Sequence, residues 1–223
     1  MKDHTDKEYE HDLATLRDKL LLMAGRVEVM IADAMRALIG RDAALAKKTI
    51  EADHKVNKLE LEIDELAMLV LVKRQPMARD LRFVVLALKM VTDLERMGDL
   101  AVNICERTID LSSLPQVPAY EDIPRMADIV QRMVREAMDA FVAWDGTSAE
   151  AVMMSDDEVD ELYHSIFRDL LEVMIRDRSS VECCSQLQSV AKYLERIGDH
   201  ATNVAEEVVF MTQAKDVRHH GKL

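Results

Sequence analysis

A chain of 223 residues with 42 acidic and 29 basic side chains, a formal net charge of −13, lacks the basic surface that nucleic-acid binding requires. Its 49% hydrophobic content sets it apart from disordered acidic proteins, and it has no run of about 18 or more apolar residues to cross a membrane. Only 6 Gly and 4 Pro interrupt it, with 4% aromatics and 15 Met, so the expected elements are few, long helices around an aliphatic core.

The opening stretch MKDHTDKEYEHD is charged and contains no apolar signal region, so a cytoplasmic protein is expected. Residues 8–39 place Leu13, Leu16, Leu20, Met23, Val27, Met30, Ala34 and Ala37 at helical spacing, and Gly40 followed by Asp42 reads as a stop and a new start. The period resumes over 43–73 with Val56, Leu59, Ile63, Leu66 and Val70, until Pro76 interrupts. A third helix is predicted over 78–111, with Leu81, Val84, Leu88 and Val91 on one face. Then comes LSSLPQVPAY, the most loop-like stretch, whose Pro115 and Pro118 mark a boundary near 112–120.

Beyond this boundary the order repeats. AMRAL at 34–38 returns as AMDAF at 137–141, and Asp53, Val56, Asn57 and Leu59 return as Asp156, Val159, Asp160 and Leu162, both at an offset of 103. LERMGDLAVNICE at 94–106 returns as LERIGDHATNVAE at 194–206, at an offset of 100. Constant offsets on either side of a three-residue deletion near Pro76 are what internal duplication produces. The predicted fold is all-α: two tandem three-helix bundles, with six long helices, antiparallel and joined by short connections. The first repeat is expected over 8–114, the second over 119–213, and a polar tail over 214–223.

The repeated segment carries Glu95, Asp99 and Asn103, and Glu195, Asp199 and Asn203, at i, i+4 and i+8 on one helix face. The preceding helix supplies a companion row: Asp53, Asn57, Glu60 and Asp64 in repeat one, Asp156 and Asp160 in repeat two, where Tyr163 replaces Glu60. Brought together by an antiparallel neighbour, each pair of rows offers a set of oxygen ligands suited to Mg²⁺, Mn²⁺, Ca²⁺ or iron. Gly98 and Gly198 lie inside these helices, where a small residue lets the partner approach. The competing reading is a solvated acidic face, since like charges at i, i+4 cost only about 0.2–0.5 kcal/mol per pair. The Glu51/His54 and Glu161/His164 pairs have the spacing of di-metal bundles but occupy non-equivalent repeat positions, so they read as surface residues. Cys105, Cys183 and Cys184 read as reduced thiols. No Gly-rich phosphate loop, nucleophile elbow or Cys-x-x-Cys motif is present, so an enzyme is not expected.

The doubled LERxGDxAxN motif, the DxxVN and DxxVD segments and QPMARDLR between the second and third helices resemble the PhoU family over residues 8 to 213. The resemblance implies a negative regulator of phosphate uptake and of phosphate-starvation signalling. Such a protein acts as an adaptor between the cytoplasmic side of a phosphate-specific ABC transporter and a sensor histidine kinase, and a homodimer is expected. It also implies a multinuclear iron or zinc cluster on the acidic rows, carried by Asp53, Asn57, Glu95, Asp99 and Asn103 in repeat one and Asp156, Asp160, Glu195, Asp199 and Asn203 in repeat two. Asn57 departs from a strict acid-x-x-x-acid pattern, and Tyr163, where repeat one has Glu60, makes the two sites chemically unequal. A metal-storage or oxidase bundle and a plain helical scaffold are the alternatives.

Overall fold

The computed structural model of the protein describes residues 2–115, 117 and 122–213, with side chains from residue 7 onward. Pro118, the expected start of the second repeat at 119 and the tail at 214–223 lie outside the described residues. The helices are α1 (Lys2–Gly40), α2 (Ala43–Ala52), α3 (His54–Arg74), α4 (Ala78–Ser112), α5 (Asp122–Ala143), α6 (Gly146–Met154), α7 (Asp156–Arg176) and α8 (Val181–Gln213), with a 3₁₀ turn at Arg178–Ser180. Among the described residues there is no strand, and no helix is long and apolar enough to cross a membrane.

The duplication is visible in what is buried. Met23, Ala24, Val27, Met30, Ile31, Ala34, Met35, Ala37 and Leu38 of α1 are buried, and so is the residue 103 positions later in α5 in every case. The turn that follows also repeats. Arg41 and Trp144 are both left-handed, with φ of 51° and 54°, and end α1 and α5. Asp42 and Asp145 then cap α2 and α6, each accepting backbone N–H bonds from the residues two and three ahead.

The expected second helix is not continuous. At Asp53 the backbone N–H bonds to Ile50 O, three residues back, and α3 begins at His54. The same break occurs at Ser155, whose N–H bonds to Val152 O. Asp and Ser are weak helix formers because their side chains compete for backbone groups. α3 stops at Gln75, left-handed with φ 49°, just before Pro76. In repeat two the connection takes another form, with Asp177 capping the 3₁₀ turn that leads into α8.

The repeats join along α4 and α8. Asp93 lies opposite His200, and Arg107 opposite Gln186, so the two helices run antiparallel and the two motif copies cross at the centre of the pair. Lys89 Nζ reaches Glu207 Oε1 at 2.6 Å across the same seam. Phe83 of α4 stacks on Phe141 and Trp144 at the end of α5, with ring centroids 6.1 and 6.5 Å apart. One continuous apolar core runs through both halves. Because α4 also touches α1, α2 and α3, its buried face is broader than the predicted stripe. Val84 and Val91 are buried as expected, while Leu81 is 41% exposed and Leu88 is only partly buried.

Candidate functional site

In repeat one the structure brings α3 and α4 together at Gly98. A Cβ there would lie 3.5 Å from Asp53 Oδ1 and 3.5 Å from Val56 Cγ1, so the helices are close but leave room for a methyl group. Asn57 Nδ2 donates to Asp53 Oδ2 at 2.7 Å. The remaining oxygens, Asp53 Oδ1 and Asn57 Oδ1, are buried without a hydrogen-bond partner.

The electrostatics tie the two rows together. Burial raises the Asp53 pKa, the Asn57 amide pulls it back, and Asp99 raises it again. Burial raises Glu60, with Asp64, Asp99 and Asp53 adding to it and Arg96 opposing. Burial and then Asp99 raise Glu95, to which Glu60 contributes as well. Each of these carboxylates is harder to ionise because the others are near. Arg96 lies against the row. Its Nε lies 3.4 Å from Glu95 Oε2 and its Nη1 3.6 Å from Asp99 Oδ2, from a side chain that is half exposed.

Repeat two repeats the arrangement with different partners. A Cβ on Gly198 would lie 3.5 Å from Val159 Cγ1 and 3.6 Å from Asp156 Oδ1. Burial, then Asp199, then Asp160 push Asp156 up to about 6. The Thr202 hydroxyl leans toward the charged form of Asp156 without reaching a well-formed hydrogen bond. Asp199 is raised by burial and by Glu195 and Asp160, against the pull of Lys192. Here the local cation is Lys192, whose Nζ holds Glu195 at 2.7 and 2.6 Å and sits 5.2 Å from the centre of the Tyr163 ring.

Eight of the ten candidates thus fall into two matching clusters: Asp53, Asn57, Glu95 and Asp99, and Asp156, Asp160, Glu195 and Asp199. The asparagines at the ends of the rows do not. Asn203 donates to Asp93 Oδ1 of α4 at 3.2 Å, beside His200 Nδ1 at 2.8 Å on the same oxygen. Asn103 is partly buried further along α4. The Asp93–His200 contact has no counterpart at the duplicated positions, Tyr193 and Leu100, so repetition gave no signal for it. Glu51, His54, Glu161 and His164 are exposed. The three thiols are buried, and burial raises each of them, Cys105 to about 12, which suits inert core residues.

The donor set is mainly carboxylate and amide oxygen, and two of these oxygens are buried and unpaired, so its chemistry fits a hard cation. Its present arrangement is looser than a coordination shell. Among the described residues no group of three or more His, Cys, Asp or Glu side chains is disposed to hold a metal ion.

A family model for the PhoU domain matches the chain at residues 20–108 and again at 123–208. A phosphate-specific transport system accessory protein PhoU homolog of Caulobacter vibrioides is 41% identical over 211 residues, covering 94% of this chain and 92% of the relative. A homolog of the same description from Pseudomonas putida is 38% identical over 219 residues, covering 98% of this chain and 86% of the relative. The crystal structure of PhoU from Pseudomonas aeruginosa superposes with a TM-score of 0.91 at 37% identity, covering 93% of this chain and 100% of that one.

Proposed function

Because this chain belongs to the PhoU domain family, we propose that it is an accessory protein of phosphate transport that restrains phosphate uptake and phosphate-starvation signalling. It acts by contact rather than by catalysis, in the cytoplasm and as a homodimer, between a phosphate ABC transporter and a sensor histidine kinase. The observation that carries this reading is the near end-to-end similarity to accessory proteins of phosphate-specific transport systems, which spans both repeats. Exposed apolar side chains supply contact area. Met68 and Val72 of α3 and their duplicates Leu171 and Ile175 of α7 all face solvent, further along the helices that carry the acidic rows. Exposed apolar groups on a chain of net charge −13 suit partners with a basic rim. A deletion strain grown in high phosphate should express its phosphate-starvation genes. Unchanged repression there would sink the reading.

The acidic rows have a second role in the same proposal, as cation sites. Asp53, Asn57, Glu95 and Asp99, with Glu60, would hold a hard cation in repeat one, and Asp156, Asp160, Glu195 and Asp199 in repeat two. The unpaired Asp53 Oδ1 and Asn57 Oδ1 support this, since a bound cation would satisfy both. A cation would also relieve the mutual repulsion of the carboxylates and compete with Arg96 and Lys192, which already sit on them. Metal content should fall in a Glu95→Ala/Asp99→Ala/Glu195→Ala/Asp199→Ala variant purified without chelator. Equal content in both proteins would refute the assignment.

A further inference from the structure

The two repeats bury the same positions along α1 and α5, with one exception in the middle of the helix. Repeat two buries Ile129, and the matching residue of repeat one is Arg26, half-buried with its Nε shut off from water and without a hydrogen-bond partner. Burying that Nε where the fold accepts an isoleucine costs desolvation that no hydrogen bond among the described residues repays. Beside it lies a cavity of about 550 Å³ between α1 and the α2–α3 break. Its size is that of a small-molecule site, for which about 300–1,000 Å³ is usual.

The cavity exists because of residues that differ between the repeats. Gly25 forms part of its floor, and a Cβ there would meet nothing within 4 Å, so the packing of the chain gives no reason for a glycine in mid-helix. Its duplicate is Asp128. Leu21, Val29, Met30 and Ala52 make the lining mostly apolar, and Arg26, Lys48 and Lys55 bring three positive charges to it. The duplicates of these three cations are Ile129, Ala151 and Glu158. In repeat two the mouth is bridged by an ion pair, Arg125 Nη2 to Glu158 Oε1 at 3.0 Å, at the positions held by Leu22 and Lys55 in repeat one. The one acid in the lining, Asp33, is already paired with Arg36. Three cations gathered at one apolar cavity are out of place in a chain of net charge −13.

We propose that this cavity, built by Gly25, Arg26, Lys48 and Lys55 in repeat one alone, binds an organic phosphate of nucleotide size. The apolar floor takes the base or other organic body. The guanidinium of Arg26, whose planar fork matches phosphate oxygens, takes the phosphate with Lys48 and Lys55 at the rim. Charge alone would serve free phosphate, and an apolar floor alone would serve a neutral ligand. The two together select a molecule that carries both. None of the acidic-row residues lines this cavity, although Ala52 and Lys55 flank Asp53 in the chain.

Calorimetric titration of the full chain with ADP, GDP and UDP, and with inorganic phosphate and adenosine separately, tests this. At least one nucleotide should bind, about tenfold or more tighter than phosphate or adenosine alone. Arg26→Ile installs the residue that repeat two already buries, so it should fold, and it should weaken that nucleotide about tenfold or more. Gly25→Leu, which projects into open space, should block the floor with the same result while leaving all three cations in place. If Arg26→Ile fails to fold, Lys48→Ala/Lys55→Ala carries the test from exposed positions. The proposal is overturned if no nucleotide binds. It is also overturned if inorganic phosphate binds as tightly as the nucleotides, or if binding survives unchanged in the variants.

Discussion

Asp156 shows how burial and like charge act on one carboxyl. It takes up a proton at about 6 in the folded protein against an ordinary value of 3.8. Between those values the folded state binds more protons than the unfolded state, so stability falls as pH rises. The contribution is fully present below the unfolded value and is lost as pH passes through about 6. Asp156→Asn should therefore be more stable than the parent at pH 7.5, by on the order of 1–2 kcal/mol after allowance for partial solvent exposure. Urea denaturation at several pH values checks this, and the gap between the two proteins should narrow by pH 5 and close only near the ordinary value of 3.8. Gly98 makes a different point. An added methyl would make ordinary contact at 3.5 Å with Asp53 and Val56. Gly98→Ala should raise stability by about 0.5–1 kcal/mol through helix propensity, while Gly98→Leu should lower it by overpacking.

At the scale of elements, the turn between the first and second helices of each repeat is the most regular device in the chain. Arg41 accepts a left-handed backbone that a residue with a Cβ disfavours by about 1–2 kcal/mol. Its guanidinium then reaches across to the carbonyls of Leu111 and Leu114 at the end of α4, closing one helix end with another. Asp42 and Asp145 hold the next helix starts through paired N–H bonds. Asp42→Ala and Asp145→Ala should each cost about 1 kcal/mol, additively because they cap different helices. Thermal melts of the two single variants and the double variant give the comparison. Additivity failing by more than about 0.5 kcal/mol would mean that the two turns are coupled through the core.

For the whole molecule, the question is whether two repeats behave as two domains. The seam between them holds the α4–α8 pair, the Lys89–Glu207 contact and the Phe83–Phe141–Trp144 stack, and the core is continuous across it. Splitting the halves would expose all of this, so one cooperative transition is expected. Far-ultraviolet and near-ultraviolet melts should coincide, and two resolved steps would contradict it. Phe83→Ala should lower stability by about 3–5 kcal/mol, because Phe83 is buried and fills the joint between α4 and α5. Proteolytic nicking should still begin near 112–120, where the connection crosses from one repeat to the other, before any cut inside α4.

The chain's own repetition determined the class of fold and the doubling of the site. Apolar spacing of three and four residues made the helices legible, since any stable helix must bury one face, and equal offsets made the duplication legible without knowledge of contacts. The pairing of Asp53 with Asp99, and of Asp156 with Asp199, was readable for the same reason. Tertiary structure decided what periodicity does not encode. The breaks at Asp53 and Ser155 depend on local hydrogen-bond geometry. Leu81 lies open to solvent because the faces of α4 are allotted by its neighbours. Asn203 leaves its row for Asp93, and Arg96 turns onto the carboxylates, because charged and polar side chains answer to whatever groups the packing brings within reach. The cavity over Gly25 was hidden for the same physical reason. A glycine in a helix reads as a weak residue in one dimension and as a floor only when three helices stand around it.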